Sequence, residues 1–185
     1  SLTALDHLFK LHDLVVSDVE RIDIHGGSLR LYVTHPGAVG DRKRVRDLLA
    51  EETAWGVRRL DFYQGFAEKV KRLETTLLDV LRGLKSQGRQ LAAYGAAAKG
   101  STLLNAFGID SQLLEFVIDR STYKQGRYMP GSHLPIYASS HLLNRLPDYV
   151  LLLTWNFSEE ILAQQAEYRR RGGRFILCIP EIKIV

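Results

Sequence analysis

The 185-residue chain is poor in the residues that staple or anchor proteins: it has one cysteine, one methionine, five prolines and no long apolar run. A lone thiol, Cys178, excludes an internal disulfide. With no Cys-x-x-Cys or His-x-x-x-His spacing, a structural zinc site within the chain is not expected. The longest apolar runs, such as Tyr149 to Leu153, are of strand length, whereas a membrane helix needs about 20 apolar residues. Residues 1–13 include Asp6 and Asp13 and lack the basic, apolar and small-residue segments of a secretory signal. A cytoplasmic location without a membrane partner is therefore expected. Charge of neither sign dominates. Twenty-five basic against 21 acidic residues leave a net +4, too little to imply a nucleic-acid partner. The runs Arg42-Lys43-Arg44 and Arg169-Arg170-Arg171 read as solvated helix ends, since helix C-termini favour cations. With 45% hydrophobic and 25% charged residues, disordered and collagen-like architectures are excluded, and the length suits one domain with or without a helical appendage.

Three regions stand out. In residues 1–40, Leu2, Leu5, Leu8, Phe9 and Leu11 recur at helical spacing behind Ser1 or Thr3 as caps. Two extended runs follow, Leu14 to Ile24 and Leu29 to Val33, separated by the reversal His25-Gly26-Gly27-Ser28. This helix and hairpin carry too little apolar surface to stand alone, so they read as the tail of a larger, upstream domain. Residues 41–88 keep a roughly helical apolar period from Val45 to Leu84 and end at Gly88, a helical connector of two helices or one long bent one. The apolar spacing is not a sustained heptad, which disfavours a coiled coil. Residues 89–185 alternate strands and helices. Strands are expected at 91–94, 114–119, 136–137, 149–154 and 174–179, and helices at 99–107, 139–145 and 158–171. That alternation implies an α/β fold, a three-layer, Rossmann-like sheet with mainly parallel strands.

The chemistry concentrates where Gly95, Ala96, Ala97, Ala98, Lys99, Gly100, Ser101 and Thr102 leave a strand and open a helix. Small residues let backbone approach a ligand, and a helix N-terminus offers unpaired N–H groups and positive potential. Lys99 adds a charge, and Ser101 and Thr102 add hydroxyls. A phosphate or diphosphate suits such a turn, although Ala96 to Ala98 also suit plain packing of helix on sheet. Two better known phosphate loops do not fit. Gly95 and Gly100 have Walker spacing, but Ser101 stands at the lysine position. The dinucleotide fingerprint is not met either, since Ala97 stands at a glycine position and Lys99 is out of place.

Asp119 ends the next strand, where a ribose-binding acid would sit; a turn or cap role is the alternative. The stretch from Asp119 to Ser132 contains Lys124, Gln125, Gly126, Arg127, Tyr128, Pro130 and Gly131, a donor-rich loop at the carboxyl edge of the sheet or a mobile surface loop. Trp155 and Asn156 follow a third strand at the same edge. Ligand contact is one reading of them; the others are core packing for Trp155 and helix capping by Asn156 or Ser158. Cys178 reads as a packed thiol.

Taken together and in this order, Gly95 to Asn105, Asp119 with Lys124 to Gly126, Pro130-Gly131, Tyr149 to Asn156 and Gly172 to Phe175 resemble the C-terminal domain of S-adenosylmethionine-dependent sugar C-methyltransferases. The similarity spans nearly the whole chain. Members of that family act on nucleotide-linked keto-deoxysugars, including dTDP-linked ones. A base removes the proton beside a keto group, and the resulting enolate takes the sulfonium methyl. The resemblance implies a nucleotide-sugar ligand. The turn from Gly95 to Thr102 would hold the diphosphate, and Asp119 with the loop from Lys124 to Gly131 would contact the nucleoside and phosphates. His25 would be a helper near the sugar or a plain turn residue. S-adenosylmethionine and zinc are expected as cofactors of the full-length enzyme, with both sites outside this chain. The isolated chain is then expected to bind the nucleotide and not to methylate.

Two other classes remain open on the sequence. One is a non-catalytic interaction module dimerising through residues 41–87, with Trp55, Tyr63 and Phe66 exposed. Monomer and homodimer are both compatible with the chain. The other is a nucleotide-dependent oxidoreductase domain, disfavoured by the imperfect dinucleotide fingerprint.

Overall fold

The computed structural model describes residues 1–24, 26–37 and 39–185. The chain divides into two compact units, Ser1–Lys69 and Val70–Val185. No helix among the described residues is long and apolar enough to cross a membrane.

The first unit holds α1 (Leu2–Lys10), the hairpin of β1 (Val15–Ile22) and β2 (Ser28–Thr34), α2 (Lys43–Trp55) and the start of α3 (Leu60–Ser86). Ser1 caps α1 by accepting the Ala4 amide at 3.3 Å. In β1 the register shifts between Val16 and Asp18, leaving Ser17 as the extra residue. That bulge resets the alternation, so Val16 and Val19, three apart, both reach the core. They meet Leu2 of α1 and Val45 and Leu48 of α2. Of the two helical alternatives for residues 41–87, the structure has two helices, broken at Gly56, which takes the left-handed conformation that ends α2.

The second unit is built on a six-stranded sheet. Its strands are β3 (Leu91–Tyr94), β4 (Val117–Ile118), β5 (Ile136–Tyr137), β6 (Tyr149–Leu152), β7 (Arg174–Leu177) and β8 (Lys183–Ile184). The order is β5-β4-β3-β6-β7-β8, with every pairing parallel except β7 with β8. Strand residues alternate between two cores. Leu91, Ala93, Val117, Leu151 and Ile176 face Leu77, Leu81 and Leu84 of α3 and Leu103, Leu104 and Phe107 of α4 (Ala98–Phe107). On the other face, Ala92, Tyr94, Ile118, Val150, Leu152 and Phe175 meet Leu142 of α5 (Ser140–Arg145), Ile161 of α6 (Ser158–Gln164) and Tyr168 of α7 (Ala166–Arg170). The α/β class and the mainly parallel sheet expected from the alternation are therefore present.

Several boundaries differ from expectation. The strand expected over 114–119 is reduced to Val117–Ile118, because the Leu113 and Leu114 amides bond back to Asp110 and hold a turn there. The expected helix over 158–171 is two helices, parted at Gln165, whose side-chain amide donates to the Tyr94 hydroxyl at 3.4 Å. The last expected strand stops at Leu177, and β8 was not foreseen. Two residues paired antiparallel at an edge carry no periodic signal.

Glu52 ties α1 to α2. Its carboxylate accepts the Leu2 amide at 2.7 Å, the Thr3 amide at 2.7 Å and the Thr3 hydroxyl at 2.6 Å. Burial pushes the Glu52 carboxyl up, but the bonds from Thr3 and Leu2 outweigh it and the group titrates below the ordinary glutamate value. A depressed folded pKa contributes stability that is full above the unfolded value and is lost as pH falls through the folded one. Glu52→Ala should therefore destabilise the first unit by about 2 kcal/mol at neutral pH. Urea unfolding should show the gap to the unaltered chain narrowing as the medium is acidified through the glutamate range.

Candidate functional site

Strand order runs outward in opposite directions from the neighbours β3 and β6. The connections leaving their carboxyl ends therefore diverge and open a crevice, the usual ligand position in an open α/β sheet. The turn out of β3 depends on Gly95. Its φ of +97° is in the glycine-favouring region, and a Cβ there would lie 2.4 Å from Thr154 Cγ2. Its amide donates to Ile118 O at 2.7 Å, and the Ala97 amide donates to Gly95 O at 2.8 Å. Gly100 lets α4 sit against the end of β6, since a Cβ there would come within 2.8 Å of Leu153 Cβ.

Asp119, at the end of β4, turns toward this loop. Its Oδ2 accepts the Ala96 amide at 2.7 Å and its Oδ1 the Ser121 amide at 2.8 Å. Lys124 reaches back to Ala96 O at 2.8 Å and lies 3.4 Å from the same carboxylate. Gln125 Nε2 donates to Asp119 O at 3.0 Å. These five residues form a clasp, and protein acceptors already hold three of the turn's amides, those of Gly95, Ala96 and Ala97.

Lys99 points to a different neighbour. Its ammonium donates to Asn156 Oδ1 at 2.5 Å and lies 4.7 Å from the centroid of the Trp155 ring. No side chain caps α4 at Ala97, so the helix presents its positive end beside this cation. Burial pushes the Lys99 amine below the ordinary lysine value.

A crevice of about 190 Å³ opens at this edge on the α6 side, lined by Gly95, Asp119, Arg120, Thr154, Phe157 and Glu160, among others. Arg120 pairs with Glu160 at 3.4 Å. A larger cavity of about 490 Å³ lies between β1 and α2, along Arg21, Arg44 and Glu51; it contains none of the ligand-site residues expected from the sequence. Position at the carboxyl edge, next in sequence to Trp155 and Asn156 through Thr154, makes the smaller crevice the better candidate.

The remaining expected residues are spread out. Thr102 bonds back to Ala98 O at 3.2 Å within α4, and the Ser101 carbonyl accepts Asn105 Nδ2 at 2.7 Å. Ala96 is buried and Ala98 exposed. Pro130 and Gly131 lie further along α4. Asn105 Nδ2 donates to Pro130 O at 3.0 Å, and a Cβ on Gly131 would fall 1.8 Å from Asn105 Oδ1. Gly126 donates its amide to Ile136 O at 2.9 Å and is part of a segment tied to β5. Met129 in that segment is buried in the core. Tyr123 and Tyr128 are exposed. His25 lies outside the described residues. Neither Asn156 nor Ser158 makes a side-chain capping bond at the helical turns there. Sequence reasoning passed over Thr154 as a lining residue, although its place at the end of β6 follows the same rule that picked out Asp119. Among the described residues, no three His, Cys, Asp or Glu come together as metal ligands.

The fold and crevice define an α/β domain whose polar site lies at the carboxyl edge of a mainly parallel sheet. Residues 23–180 match the family described as the C-methyltransferase C-terminal domain, and the chain belongs to that family. It is 38% identical over 186 aligned residues to C-methyltransferase NovU of Streptomyces niveus. The alignment covers 100% of this chain and 44% of that protein, so the chain spans less than half the length of this curated relative.

Gly95 gives a direct test of the turn. Gly95→Ala should cost about 3 kcal/mol, since the methyl meets both a left-handed backbone and Thr154. Gly88→Ala, with φ +75° but open space around it, should cost only about 1 kcal/mol. Thermal or urea unfolding of the two variants checks the contrast.

Proposed function

We propose that the chain is the nucleotide-sugar-holding portion of an S-adenosylmethionine-dependent C-methyltransferase acting on a nucleotide-linked keto-deoxysugar of the dTDP type. The observation that carries this reading is a cation, Lys99, at the uncapped start of α4 where the chain leaves the carboxyl end of β3, in a chain of the C-methyltransferase C-terminal domain family. Counted from β3, the strand order reads 3-2-1-4-5-6, the Rossmann-like order of nucleotide-binding sheets, which supports the same reading.

In this reading the diphosphate lies at the α4 end, where Lys99 neutralises it and the first-turn amides bind it. The clasp of Asp119 and Lys124 holds the turn in shape, and its remaining carboxylate lone pairs face hydroxyl groups of the nucleoside. Asp119 and Glu160 make the crevice itself a poor place for phosphate, so the uncharged part of the ligand occupies it. S-adenosylmethionine supplies an electrophilic methyl group, and this reading assigns both its site and the zinc site to a longer protein, outside residues 1–185. The hairpin unit is then the tail of the donor-binding domain.

Calorimetric titration tests this. The chain should bind dTDP, give no heat with S-adenosylmethionine and transfer no methyl group by itself. Lys99→Ala should weaken dTDP binding by roughly tenfold or more and flatten its salt dependence. An unchanged affinity would remove Lys99 from the site, and no binding of any nucleoside diphosphate or its sugar would reject the reading.

A second reading, self-association, is favoured by the first turns of α3, where Leu60, Phe62, Tyr63 and Phe66 are all exposed. Light scattering should then give a dimer that Tyr63→Glu dissociates; a monomer in both cases rejects it.

A further inference from the structure

Trp155 and Asn156 stand at the carboxyl edge of the sheet, where direct ligand contact and helix capping were the two polar roles open to the asparagine. The structure removes the second, because Asn156 makes no capping bond to either helical turn that follows it. What it does hold is a residue 57 positions away: Oδ1 accepts the Lys99 ammonium at 2.5 Å. The other end of the amide, Nδ2, is buried with no hydrogen-bond partner among the described residues. A side chain kept for packing would not leave a donor stranded, and an apolar residue of similar size would fill the space without that penalty. The amide is thus spent on the lysine at a loss elsewhere. Trp155 completes the arrangement. Half-buried against the core, it places its ring 4.7 Å from the same ammonium.

We propose that Asn156 and Trp155 are positioning residues that clamp the Lys99 ammonium at the N-terminal end of α4 and act through it, not on the ligand. This rests on the nucleotide reading above for its purpose. A free lysine has a flexible four-carbon stem that must be ordered when it meets an anion. Here the hydrogen bond and the ring do that ordering in advance, and the shortfall at Nδ2 is the cost of a preset charge. The partial burial that depresses the Lys99 pKa agrees with an ammonium held against protein and not waving in solvent.

A double-mutant cycle separates acting through Lys99 from acting on the ligand. Affinity for dTDP is measured for the unaltered chain, Asn156→Leu, Lys99→Met and the pair. Asn156→Leu should weaken binding about tenfold when Lys99 is present and leave affinity unchanged in the Lys99→Met background. Asn156→Ser, a smaller change, guards against a misfolded leucine variant, and Trp155→Leu should follow the same pattern more weakly. Equal losses in both backgrounds overturn the clamp. A ligand-free arm reads Lys99 itself, through carbon-13 labelled lysine. Its ε-methylene signal should titrate below ordinary lysines and lower still in Asn156→Ser, which loses the amide oxygen that favours the charged form. A signal that does not respond to that substitution also overturns the clamp. Failure of dTDP to bind the unaltered chain would reject the nucleotide reading instead, with the Lys99 titration still deciding whether the clamp exists.

Discussion

Three neighbouring strands end at one place, and a single carboxylate closes the gap between two of them. Asp119, at the end of β4, takes the amide of Ala96 just beyond β3, while Gly95 presses against Thr154 just beyond β6. A turn with φ near +97° and no side chain of its own would be a loose link. Bonded on one side and packed on the other, it fixes where α4 begins and therefore where the positive end of that helix and Lys99 stand. The crevice, the clamp on Lys99 and the register of α4 on the sheet all follow from it.

The two-sided sheet makes that placement rigid. Alternate residues of β3 and β6 enter opposite cores, Ala93 and Leu151 toward α3 and α4, Ala92 and Val150 toward α5, α6 and α7. Small residues at Ala92 and Ala93 bring both helical layers close to the strand from which the site springs. A site at the end of such a strand is held by packing on both faces. The cation is set by Asn156 and Trp155, and the turn by Asp119 and Lys124. The polar groups that shape the site therefore act mostly on one another.

Much of this was legible in the sequence, for identifiable reasons. The apolar runs at Leu91 to Tyr94 and Tyr149 to Leu152, each followed by small or capping residues and a helical period, announce parallel strands with crossovers. Asp119 stands out by its position after a strand. The direction in which it faces does not, because its partner Ala96 is 23 residues away and only the pairing of β3 with β4 brings them together. The bond between Lys99 and Asn156 is hidden for the same reason. The segment from Asp119 to Ser132 reads as donor-rich and loose, yet Met129 is only 1% exposed and anchors it to the core. Polar composition shows what a loop offers to solvent, not the one apolar residue that pins it. Helical periodicity from Val45 to Leu84 likewise shows that a face is buried without showing against what. Val45 and Leu48 pack with the hairpin, whereas Leu77, Leu81 and Leu84 pack on the sheet.

The central claim is that the α4 end beside Lys99 is where this family member grips the diphosphate of its nucleotide sugar. A crystal structure of the chain grown with dTDP tests it most directly. The account predicts both phosphoryl groups within hydrogen-bond reach of the first-turn amides of α4 and of the Lys99 ammonium, with the nucleoside in the crevice beside Asp119. Density for the diphosphate at the cavity between β1 and α2, or anywhere remote from α4, would contradict it.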